Sequence, residues 1–163
     1  MQKIIVSDTS CIGYLIQTNL LHLLQILYGE IIIPYAVNKE ILQLENKGYI
    51  LSEFKNATWI KIEQANNLLN VEQYKFILDK GELEAISIGI HLKADLLIIE
   101  EKRGRTIAKN IGFDITGLVG ILIVAKNKNL ISSIKDILDK VRLLGCRISE
   151  KLYNTALKSC NEL

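Results

Sequence analysis

Lys3-Ile4-Ile5-Val6-Ser7-Asp8-Thr9-Ser10 sets an unbroken β-branched run directly before an aspartate and two hydroxyl residues. An apolar run without alternation suits a strand buried on both faces, and such strands belong to parallel sheets covered by helices. The run Cys11-Ile12-Gly13-Tyr14-Leu15-Ile16 then reads as a helix over about 10–16, with the hydroxyls as its N-cap. Asp8 is thereby placed at the carboxyl end of a central strand, the edge at which open α/β sheets bind ligands. Asp95-Leu96-Leu97-Ile98-Ile99-Glu100-Glu101 repeats the pattern, a buried run ending in acid.

The segments between follow the same rhythm. A leucine-rich helix is expected over about 19–27, then a strand at Ile31-Ile32-Ile33. Pro34, the only proline, fits the first turn of a helix over about 34–44, which Asn46-Lys47-Gly48 ends. Trp59-Ile60-Lys61-Ile62 reads as a short strand, and residues 71–79 as a helix. Gly81 would cap a helix reaching about Lys93. After the basic turn Lys102-Arg103-Gly104-Arg105 come a helix over about 106–110 and a last strand at Phe113-Asp114-Ile115-Thr116. Helices over about 117–126, 131–143 and 149–160 follow. Alternating strands and helices imply right-handed crossovers and a three-layer α/β/α sandwich around a mostly parallel sheet. No linker or repeat divides the 163 residues, so one domain is expected over 1–163, with a core of about 1–125 and C-terminal helices over about 131–160.

Composition excludes several classes. The chain is 49% hydrophobic and 23% charged, as globular proteins are. Its apolar runs are far too short to cross a bilayer. The first strand starts at once, without the basic and apolar regions of a signal peptide, so a cytoplasmic protein is expected. Cys11, Cys146 and Cys160 are then free thiols; neither they nor His22 and His91 have zinc-motif spacing. Charge is divided along the chain. Residues 1–100 carry 8 Lys/Arg against 12 Asp/Glu, whereas residues 101–163 carry 12 against 6. A basic surface beside an acidic cluster suits phosphodiester chemistry, though a solvated helical face would show the same charges.

Four acids from separate segments are the candidates for that cluster. Asp8 and Glu100 end strands, and Glu40 lies beside the Val37-Ile41 face of its helix. Glu82 shares a face with Ala85, Ile86 and Gly89, while Glu84, on a more mixed face, is held in reserve. Glu101 remains an alternative to Glu100. Oxygen ligands without nearby Cys or His select Mg²⁺ or Mn²⁺. Thr9 or Ser10 would orient Asp8 or a water, and Lys102, Arg103 and Arg105 would meet substrate phosphates.

These segments together resemble a PIN domain. The resemblance rests on Val6-Ser7-Asp8-Thr9-Ser10, on Ile33-Pro34 through Val37 to Glu40, and on Gly81-Glu82-Leu83-Glu84-Ala85. It rests also on Leu96 to Glu101 before the basic turn, and on Ile115-Thr116-Gly117-Leu118-Val119-Gly120. The Gly-Glu-x-Glu-Ala and Thr-Gly-x-x-Gly elements resemble a branch known mainly as a domain of uncharacterised function. The resemblance implies a metal-dependent endoribonuclease, with Asp8, Glu40, Glu82 and Glu100 catalytic and Asp8, Glu82 and Glu100 on Mg²⁺ or Mn²⁺. Thr9, Ser10, Glu84, Glu101 and Thr116 would support them. It further implies RNA as substrate and a toxin or toxin-like role opposed by a small antitoxin. A homodimer is expected, for which the stripe Leu138, Val141, Leu143 and Leu144 of the last two helices would supply a face, unless core packing uses it instead. PIN nucleases usually carry aspartate where this chain has Glu82 and Glu100. The competing expectation is a PIN-like module that binds RNA or protein without turnover.

Overall fold

The computed structural model describes residues 1–163. Five parallel strands, β1 (Ile5–Ser7), β2 (Ile31–Pro34), β3 (Ile60–Glu63), β4 (Leu96–Ile98) and β5 (Ile115–Thr116), pair in the order β3-β2-β1-β4-β5. The order reverses between β1 and β4, where Ile5, Val6 and Ser7 face Leu96, Leu97 and Ile98 in register. Successive crossovers diverge at such a switch point and leave a crevice beyond the strand ends. The residues that follow these two strands are Asp8 and the Ile99-Glu100 pair.

Alternation along the strands fills two cores. Ile5 and Ile98 point into one, with α1 (Thr9–Gln17), α2 (His22–Tyr28) and most of the C-terminal helices. Val6, Leu97 and Ile99 point into the other, against α5 (Lys80–Leu92) and α6 (Lys102–Ile111). Between these come α3 (Tyr35–Leu42), which runs into a 3-10 turn ending at Gly48, and the short α4 (Ser52–Asn56). The result is the α/β/α sandwich expected from the strand pattern. No helix is long and apolar enough to cross a membrane.

Several local expectations are corrected. Asp8, not a hydroxyl residue, occupies the N-cap of α1, and its side chain makes no capping bond. Pro34 ends β2 and caps α3 rather than entering it. Residues 71–79 form no α-helix: a 3-10 turn covers Leu69–Tyr74, because only Val71 and Leu78 are buried while Phe76 and Ile77 stay exposed. Helix α6 starts at Lys102, so the basic segment expected to turn is helical. Gly104 is there for closeness: a Cβ would lie 3.0 Å from both Glu82 Oε1 and Ile99 Cγ2.

The C-terminal helices α7 (Leu118–Asn127), α8 (Ile134–Leu143) and α9 (Glu150–Ser159) pack on one another. Leu138 and Val141 are fully buried, so that stripe serves the core, while Leu143 is exposed. All three cysteines are buried free thiols, and burial pushes Cys146 up to about 12, which suits packing and not reactivity. Near the end of the chain, Glu162 accepts bonds from the N–H groups of Ile134 and Lys135 (2.9 Å each) and pairs with Lys126 (3.0 Å). Burial opposes its charge, but these donors win and hold Glu162 at about 2. Glu162→Gln is expected to cost about 1–2 kcal/mol, a Tm loss of roughly 3–6 °C by calorimetry. An unchanged Tm would show that this clasp does not secure the terminus.

Candidate functional site

Asp8 is held at the switch point by two backbone bonds. Its N–H donates to the Ile98 carbonyl (3.0 Å), extending β1 by one residue. Its Oδ2 accepts from the Glu100 N–H (3.1 Å), which ties the ends of β1 and β4 together. Asp8 Oδ1 is buried and has no partner. Burial pushes the carboxyl up to about 8, and Glu100, Glu82 and Asp79 add repulsion.

Glu82 enters from α5. Asp79 caps that helix in a reciprocal box: Glu82 N–H donates to Asp79 Oδ1 (2.8 Å) and Asp79 N–H donates to Glu82 Oε2 (3.1 Å). The cap is thus Asp79 and not Gly81, and Asp79-Lys80-Gly81-Glu82 carries the box signature. Gly81 instead lets the helix approach, since a Cβ would lie 3.0 Å from Glu40 Oε1 and 3.2 Å from Thr9 Oγ1. The other Glu82 oxygen, Oε1, is buried and unpartnered. Burial, then Asp79, push this carboxyl up to about 7. Asp79 joins the cluster as a member that sequence reasoning misses; its capping-box spacing is the signal that could find it.

Glu100 is half-buried, and its Oε2 accepts from the Leu118 N–H at the start of α7 (2.8 Å). Its pKa is raised by burial, against the pull of that bond and of Arg105. The Arg105 guanidinium donates to the Ile99 carbonyl (2.9 Å), so this cation braces the strand end. Gly117 makes room for both: a Cβ would lie 2.7 Å from Arg105 Nη1 and 2.9 Å from Glu100 Oε2. Thr116 stands beside this glycine at the end of β5.

The remaining candidates lie farther out. Glu40, expected on or beside the core face of its helix, is exposed beside it and accepts from Thr9 Oγ1 (2.7 Å). Glu84 is buried but turns to α3, where it accepts from the Ala36 N–H (3.2 Å) with Lys80 at 3.9 Å. It caps a helix that has no capping bond of its own at Pro34. Glu101 is exposed at the N-cap of α6. Ser10, Glu101 and Lys102 line a cavity beside Glu100, and Arg103 is exposed on the same helical turn as Lys102.

A PIN-domain family model matches residues 4–162. The chain belongs to that family. No curated protein matches the chain. PIN domains in general are nucleases and typically use divalent metals, so the site must be tested against such an ion. The donors are carboxylate oxygens without thiolate or imidazole, as a hard cation prefers. Two of those oxygens, on Asp8 and Glu82, are buried without any partner, where an unpaired charge is costly. No three acidic, histidine or cysteine side chains form a ready ligand group. Mg²⁺ is commonly held by only one or two carboxylates, with waters and substrate phosphate completing its shell. The arrangement fits that mode.

Proposed function

We propose that this PIN domain is a Mg²⁺- or Mn²⁺-dependent endoribonuclease. The observation that carries the proposal is the pair of orphaned carboxylate oxygens, Asp8 Oδ1 and Glu82 Oε1, at the strand-order reversal. Asp8 and Glu82 would hold the ion, with Glu100 as the third acid. A bound divalent cation would supply charge stabilisation at a phosphodiester during hydrolysis. Asp8 is fixed by the β4 backbone, Glu82 by its capping box, and Glu100 by the Leu118 N–H. Fixed acids suit catalysis that works by positioning and electrostatics. Glu40 and Thr9, hydrogen-bonded to each other at the rim, would orient water or substrate next to Asp8. Lys102 and Arg103 would attract the phosphate backbone.

A toxin or toxin-like role, opposed by a small antitoxin in the cytoplasm, goes with this activity, as does a homodimer. The dispersal of the acids, with Glu40 at the exposed rim and Glu84 turned to α3, favours one other reading, an RNA- or protein-binding module without turnover. Cleavage of mixed structured and single-stranded RNA in Mn²⁺, in Mg²⁺ and in chelator separates the two. The native protein is expected to cut only with metal, and Asp8→Asn to cut at least about 1,000-fold more slowly. Folded, partner-free protein that binds divalent ions yet cuts nothing would move the assignment to the binding module.

A further inference from the structure

Helices α3 and α5 pack on each other and meet closely at two points. At the first, Gly81 lies over α3: a Cβ there would stand 3.0 Å from Glu40 Oε1 and 3.3 Å from Val37 Cγ2. At the second, Glu84 Oε2 accepts from the Ala36 N–H (3.2 Å). Ala36 and Glu40 are one turn apart on α3, and Gly81 and Glu84 one turn apart on α5, so each pair shares a helical face.

Packing alone does not account for Glu84. The residue is only 5% exposed, and a buried carboxylate is costly unless it is bonded. What it meets is the N-terminus of α3. Pro34, the N-cap residue there, has no side-chain acceptor, so the first N–H groups of α3 lack the usual cap. Glu84 supplies one from 48 positions away and sets its charge against the positive end of the helix. The Lys80 ammonium, itself exposed, stands 3.9 Å from the other Glu84 oxygen. No other hydrogen bond or ion pair joins α3 to α5.

The next turn of α3 reaches the rim of the candidate site. There Glu40 Oε2 accepts from Thr9 Oγ1 (2.7 Å), and Thr9 follows Asp8 at the start of α1. We propose that Glu84 is a positioning residue: by capping α3 from α5, it holds Glu40 over Gly81 and against Thr9. The proposal rests on the nuclease reading and divides the two acids of Gly-Glu-x-Glu-Ala between two tasks. Glu82 turns an orphaned oxygen to the buried cluster, while Glu84 sets the helix that carries Glu40.

The test is a double-mutant cycle in Mn²⁺-dependent RNA cleavage, read beside amide hydrogen exchange of the metal-free protein. Glu84→Ala is expected to lower kcat about 10-fold with KM within about twofold. Glu84→Gln keeps an acceptor for the Ala36 N–H and should recover kcat to within about threefold of native. In a Glu40→Ala background, Glu84→Ala should cost less than about twofold more, because the residue it acts through is gone. Glu84→Met fills the volume without an acceptor and replaces the alanine variant if that one fails to fold. Exchange reads the clamp without catalysis: Glu84→Ala should accelerate the Ala36 amide at least about ten times more than the Leu138 amide of α8. Equal kcat losses in the two backgrounds, or equal acceleration at Ala36 and Leu138, would overturn the positioning role even if the native protein cuts RNA. Selective acceleration at Ala36 in a protein that never cuts would keep the clamp on α3 and remove the nuclease.

Discussion

Asp8→Asn is expected to raise the Tm of the metal-free protein at pH 8 by roughly 5–12 °C, and to abolish its further rise on adding Mn²⁺. The native carboxyl titrates at about 8 in the fold, against an ordinary value of 3.8, chiefly because it is buried. Below about pH 4 Asp8 is protonated in both states and folding incurs no penalty. As pH rises toward 8, the unfolded chain ionises Asp8 while the fold keeps the proton, so stability falls across that window. Glu82, raised to about 7, adds a slope of the same sign that ends earlier. A tenfold change in a carboxyl's acidity on folding corresponds to about 1.4 kcal/mol, and relaxation around a buried group leaves about half of the full amount, on the order of 2–4 kcal/mol. Asparagine removes this slope. Its oxygen still accepts the Glu100 N–H, and its amide takes the place of the orphaned Oδ1 beside Glu82 and Glu100.

Divalent ions act on the same equilibrium from the other side. Binding requires the carboxylates to lose their protons, so the Tm gain of native protein in Mn²⁺ should be larger at pH 8 than at pH 6. Differential scanning calorimetry at three pH values, with chelator and with Mn²⁺, reads both effects. A lower Tm for Asp8→Asn in chelator at pH 8 would mean that Asp8 is a charge the fold welcomes, and the account of an uncompensated carboxylate would fail.

How far the sequence discloses this arrangement depends on the range of the forces involved. Strand ends are legible because burial on both faces leaves an unbroken apolar run, and Asp8 and Glu100 each follow one. The fold class follows from the alternation of such runs with helices. Glycines are harder to read. Gly104 sits within a basic run that resembles a turn, yet it is helical, and the close approach of Glu82 from α5 and of Ile99 explains it. Gly81 resembles a cap for a similar reason, while Asp79 makes the cap. The helical spacing around Glu40 places it only on or beside the core face, and its partner Thr9, which meets it at the exposed rim, lies 31 positions away in sequence. Arg147 carries no local signal at all. Its place in the wall of a cavity with Glu100 depends on α8 and α9 packing against α7, which joins residues 47 positions apart in sequence.

The choice between the two adjacent glutamates after β4 should be resolved sharply by mutation. Glu100→Gln is expected to lower turnover at least about 100-fold and to reduce the Mn²⁺-dependent Tm gain, whereas Glu101→Gln should stay within about threefold. Pleating sends neighbouring side chains to opposite sides where the extended chain continues beyond Ile98. Glu100 takes the inward side: its N–H reaches Asp8, its carboxylate reaches Leu118, and Gly117 lacks the Cβ that would collide with it. Glu101 takes the outward side, exposed at the N-cap of α6 without a capping bond. Glutamine retains an acceptor for the Leu118 N–H, so Glu100→Gln tests charge more than packing. Glu100→Asp tests reach: one methylene shorter, it withdraws from Leu118, and its loss should exceed that of Glu101→Gln although the charge is kept. Equal losses from the two glutamine variants, with both proteins folded, would mean that the field of the cluster matters and not the position of Glu100.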